Sequence, residues 1–187
     1  MRLLLAVISL LFSNQFAHAD EAKDSDQHTF LSCAIITSEY LTTLQLYQRG
    51  IPLQTALENL PKISRSAKAR VSSIYELANN IGILNAYADI NTNFSRCSYK
   101  VFQAKGTPAK DQLDYGYFYC SGENKVRFEI ILNSDRYLTL DKVLQKTPDS
   151  HIQTAIDYFS LIANKGLLAA FDLMANNFKS CLTNLDQ

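Results

Sequence analysis

The chain of 187 residues has no tryptophan and no excess of either charge, with 18 Lys+Arg against 18 Asp+Glu. A balanced charge removes the usual electrostatic case for a nucleic-acid ligand, which rests on clustered cations facing phosphates. There is no GxSxG elbow, no HExxH pair and no glycine loop of the kind that cradles phosphate. No CxxC pair is present, and the four cysteines stand too far apart for a local metal-chelate pattern. Beyond the leader described next, no stretch approaches the ~18 apolar residues that a membrane helix needs. Neither a metal nor a cofactor is therefore expected. Apolar residues make up 47% of the chain, enough for a globular core and too many for a disordered one. The length suits one domain.

The first residues read as an export signal. Arg2 supplies the positive end, Leu3 to Phe12 an apolar run, and Ala17-His18-Ala19 the small-x-small pattern of a cleavage site. Cleavage before Asp20 makes residues 1–19 a signal peptide and residues 20–187 a single exported domain, periplasmic or secreted. Only Arg2 is charged in the removed part, so the mature domain carries one more acid than base. Cys33, Cys97, Cys120 and Cys181 all remain. An even number of cysteines in an exported chain reads as two structural disulfides.

Apolar spacing predicts a helix from His28 to Tyr47, stopped by Arg49-Gly50 and Pro52, then a short helix to Leu60. A longer one is expected from about Ser66 to Tyr87, with Gly82 marking close packing or a break. Residues 99–103, 115–120 and 125–132 are rich in aromatic and β-branched types and read as three short antiparallel strands. Gly106-Thr107-Pro108 and Ser121 to Asn124 supply the turns. Thr139 is placed as the cap of a short helix, and Ser150 with Gln153 as a capping box opening another. Gly166 is expected to break that helix before Cys181. The fold expected is α+β, mostly α: five or six helices with a small three-stranded sheet inserted mid-chain.

A shift of 84 residues aligns two segments. Leu77, Asn80, Gly82, Leu84, Ala86, Asn93, Phe94 and Cys97 meet Leu161, Asn164, Gly166, Leu168, Ala170, Asn177, Phe178 and Cys181, and Tyr87 meets Phe171. The physical content is two similar helices, each ending in Asn-Phe-x-x-Cys. If each terminal cysteine is stapled to an earlier one, the pairing is Cys33–Cys97 with Cys120–Cys181. The main rival is Cys97–Cys120 with Cys33–Cys181.

The functional candidates follow from the expected sheet. Tyr115, Tyr117 and Tyr119 alternate with Gly116, Phe118 and Cys120, so on a strand they share one face. With an odd-length turn that face points outward beside Arg127 and Glu129; with an even one the tyrosines join the core. Tyr and Arg are enriched in binding hot spots, so the strip is the candidate binding surface. The run Lys62, Arg65, Lys68 and Arg70 reads as a solvated helix start. Only His28 and His151 survive cleavage, which leaves a nucleophilic hydrolase little to work with. The function expected is a protein-binding module of the inhibitor or toxin-neutralising immunity type, with another protein as partner. The alternatives are a small extracytoplasmic hydrolase using carboxylates in a helix–sheet cleft, or a secreted effector.

Overall fold

The computed structural model describes residues 29–59, 64–137 and 139–185. The expected signal peptide, His28 and Lys62 lie outside them. The described residues form eight α-helices and one 3₁₀ turn, and no strand. They run α1 (Phe30–Gln48), α2 (Leu53–Glu58), α3 (Arg65–Ile81), α4 (Ile83–Lys105), α5 (Leu113–Tyr137), α6 (Leu140–Leu144), the 3₁₀ turn Asp149–His151, α7 (Ile152–Lys165) and α8 (Leu167–Thr183). Among these helices, none is long and apolar enough to cross a membrane.

The expected sheet is absent. Residues 99–103 lie in α4, and residues 115–120 and 125–132 both lie in α5. The turn placed at Ser121 to Asn124 is mid-helix. The reason is packing: Cys120, Asn124, Phe128 and Ile131 fall at helical spacing and are buried, against α1, α4, α7 and α8. Local β preference describes a half-buried surface, and tertiary burial overrides it. The capping box at Ser150 also fails to form. A 3₁₀ turn precedes α7, and the Ser150 hydroxyl bonds the His151 Nδ1 at 2.8 Å instead. A capping box does form where none was expected: Thr29 Oγ1 accepts from the Ser32 N–H at 3.0 Å, and Ser32 Oγ accepts from the Thr29 N–H at 2.9 Å.

The 84-residue shift corresponds to a duplication of architecture. Helices α1 to α4 and α5 to α8 share one plan: a long helix, a short one, then two helices joined at a single glycine. Gly82 has φ 80° and ψ 156°, and Gly166 has φ 82° and ψ 170°. A positive φ of this kind is open to glycine and strained for other residues. Corresponding residues touch across the halves: the rings of Tyr87 and Phe171 stack at 5.3 Å, and those of Phe94 and Phe178 lie 4.9 Å apart. These pairs sit two turns apart along α4 and α8, so the two helices run side by side in the same direction. Helices α1, α4, α5 and α8 all pack on one another; α3 lies against α1 and α4, and α7 against α5 and α8.

Both disulfides are present, Cys33–Cys97 and Cys120–Cys181. Each lies within one half, joining its first long helix to its last. Such bridges persist in oxidising compartments.

Candidate functional site

The tyrosine strip does not survive as one surface. On α5, Tyr115 and Tyr119 stand a turn apart, while Tyr117 lies on the other side of the helix. Tyr119 is 54% exposed, but Tyr117 packs against the core. Arg127 and Glu129 are both committed to ion pairs. Arg127 Nη2 meets Glu123 Oε2 at 2.9 Å, and Glu129 pairs with Lys125 one turn earlier.

A different surface emerges between α4 and α5. A half-open cleft of about 390 Å³ is walled by the rings of Phe30, Tyr99, Phe102 and Phe118. Phe118 anchors them, edge-on to Phe30 at 5.1 Å and nearly parallel to Phe102 at 6.4 Å. Tyr99 is 58% exposed and Phe102 42%. Large aromatic rings left in water and grouped around a concavity mark binding surfaces more often than scattered surface apolars do. Arg96 and Lys125 stand at the rim, and Ser95, Ser98, Ser121 and Gly122 line the space between.

The two halves differ at two positions of the cleft. By the 84-residue shift Ser98 corresponds to Leu182, and by the alignment of Cys33 with Cys120, Gly122 corresponds to Ile35. At these two positions a small residue stands where the other half carries a branched apolar one. Ser98 Oγ is buried without a hydrogen-bond partner. A buried hydroxyl without a partner costs free energy.

Both walls are stapled. Cys97 lies between Arg96 and Ser98 and ties α4 to α1; Cys120 adjoins Ser121 and ties α5 to α8. Sequence reasoning missed the cleft, because the strand reading separated Tyr99 and Phe102 from Phe118. The available signal was Phe102, Tyr99 and Ser95 or Ser98 at helical spacing.

Other polar groups are used to join helices. Gln45 Nε2 donates to Asp172 Oδ1 at 2.6 Å and to Asn176 Oδ1 at 3.0 Å, and Lys179 donates to Gln45 Oε1. Burial holds the Lys179 amine below its ordinary pKa, while Asp172 works against that shift. On α3, Arg70 makes a two-point contact with Glu39 of α1, so the basic run is partly paired.

Ser150, His151 and Glu123 form a hydrogen-bonded chain, with His151 Nε2 2.9 Å from Glu123 Oε1. The order resembles nucleophile, base and acid. Arg127 nevertheless loads the same carboxylate, and Ser150 does not line the α4–α5 cleft. The chain ties the 3₁₀ turn to α5. A second cleft, near the end of α5, is lined by Glu129, Asp135, Arg136 and Lys146, a balanced charge set. Among the described residues no group of three or more His, Cys, Asp or Glu is placed to hold a metal ion. No family model, curated protein or solved structure matches the chain.

Proposed function

We propose that the chain is an exported binding module that holds a protein partner through the aromatic cleft between α4 and α5. The observation that carries this reading is the group of open rings, Tyr99 and Phe102, beside a concavity whose two walls are each fixed by a disulfide. Preformed, rigid aromatic surfaces lose little conformational entropy on binding, which favours affinity. The half-open shape supports a partner surface over a sequestered small molecule, since small-molecule sites bury about 70–90% of their ligand. The inhibitor or immunity format fits a stapled module with this kind of surface, as an analogy of format.

The test is capture by the tagged mature domain from an extracytoplasmic extract, with the amount of each bound protein quantified. A Tyr99→Ser, Phe102→Ser double variant removes two exposed rings and is expected to weaken capture by about 2 kcal/mol, or roughly thirtyfold. Arg127→Ala is expected to lower the unfolding midpoint while leaving capture intact, because Arg127 is spent on Glu123. Full capture by the double variant, or lost capture with Arg127→Ala at unchanged stability, sinks the reading.

A further inference from the structure

Resting on that reading, we infer that the segment entering the cleft is acidic and carries one aromatic or large aliphatic anchor residue.

The charge of the cleft wall supports this. The charged residues that line the cleft are Arg96 and Lys125, and no acid is among the lining residues. Both are exposed. The acids on the opposite wall are engaged: Asp114 accepts from the Leu31 N–H at the start of α1, Glu123 holds Arg127 and His151, and Glu129 holds Lys125. Lys125 is shared with Glu129 on its own helix, while Arg96 donates to the neutral Asn93 Oδ1 at 3.1 Å. An excess of one sign around an apolar concavity selects a partner of the opposite sign and speeds its encounter.

The interior of the cleft sets the anchor. Its walls are almost wholly apolar, and its size fits a bulky side chain without enclosing a whole ligand. An anchor flanked by Asp or Glu satisfies the apolar walls and the cationic rim together.

The experiment is selection from a displayed random-peptide library on the mature, oxidised domain, with counter-selection on Ser98→Leu, which adds bulk at the cleft wall. Enriched peptides are then synthesised and measured by fluorescence anisotropy. The expected motif is Phe, Tyr, Leu or Ile flanked by acids. Arg96→Glu and Ser98→Leu should each weaken binding at least about tenfold, and added salt should weaken it further. Arg96 is exposed, so its reversal leaves the fold intact if Ser98→Leu fails to fold. Replacing the peptide's acids with Lys should restore binding to Arg96→Glu.

Neutral or basic peptides that still need an open cleft overturn the acidic preference and leave the binding-module reading standing. Peptides indifferent to both variants overturn both. Binding of laurate that Ser98→Leu abolishes, without peptide enrichment, makes the occupant a free amphiphile and overturns the inference. Self-association that Ser98→Leu abolishes makes it a second copy and also overturns it.

Discussion

Two buried tyrosines set how the fold responds to alkali. Tyr87 stacks on Phe171 and donates its hydroxyl to Gln48 Oε1 at 2.9 Å; Tyr158 accepts from Asn177 at 3.2 Å. Burial raises the pKa of both hydroxyls, and the negative charge of Asp172 adds to the shift at Tyr87. An unfolded tyrosine titrates near pH ~10. Above that pH the unfolded chain loses these protons while the native state keeps them, so stability falls as pH rises. Lys179 acts with the opposite sign, because its lowered pKa makes the native state bind fewer protons up to the unfolded lysine value. Tyr87→Phe isolates the tyrosine contribution, since Lys179 is common to both proteins. The variant should lose about 1 kcal/mol at neutral pH through the missing hydrogen bond. It should then lose less than the parent above pH ~10. Urea midpoints measured across that range check this, and parallel curves for parent and variant would contradict it.

At the scale of elements, the glycine junctions carry the most testable geometry. A Cβ at Gly82 or Gly166 meets nothing within 4 Å, so steric clash is not the issue. The positive φ is, and alanine there should cost about 1–3 kcal/mol. Gly122, inside α5 and also without neighbours within 4 Å, should respond in reverse, with alanine stabilising by about 0.5–1 kcal/mol. Thermal unfolding of Gly82→Ala, Gly166→Ala and Gly122→Ala decides it; equal shifts for all three would refute the distinction. The sequence made these junctions legible because the residues around Gly82 and Gly166 repeat. It hid α5 because Ser121, Asn124 and Ser134 occupy buried helical positions where an apolar stripe would be looked for, while Tyr, Phe and Ile crowd the surrounding sequence. Asn124 Nδ2 donates to Asn91 Oδ1 at 2.9 Å across to α4, while its own Oδ1 is buried without a partner. Asn91 lies 33 residues away and has no local signature. The cleft was invisible for the same reason, since it joins α4 and α5 through rings that no short motif connects.

At the scale of the molecule, each disulfide closes a loop inside its own half, with sequence separations of 64 and 61 residues. The halves meet through non-covalent contacts: the two ring pairs, the Asn91–Asn124 amides, and Gln45 with Asp172. In the chain-entropy view each loop contributes about 4 kcal/mol. Because each loop is confined to its own half, the two losses should nearly add. A domain stable by about 5–15 kcal/mol survives losing one bridge and approaches the unfolding threshold on losing both. Paired alanine replacements of Cys33 with Cys97, of Cys120 with Cys181, and of all four should therefore give two folded proteins and one that is largely unfolded. The walls of the cleft add a functional readout. Removing Cys33–Cys97 frees α4 beside Arg96 and Ser98, and removing Cys120–Cys181 frees α5 beside Ser121. Either single-bridge protein should keep its helical circular dichroism while capturing the partner less well, because a looser cleft must be ordered on binding. Undiminished capture by both single-bridge proteins would place the recognition surface away from the stapled walls.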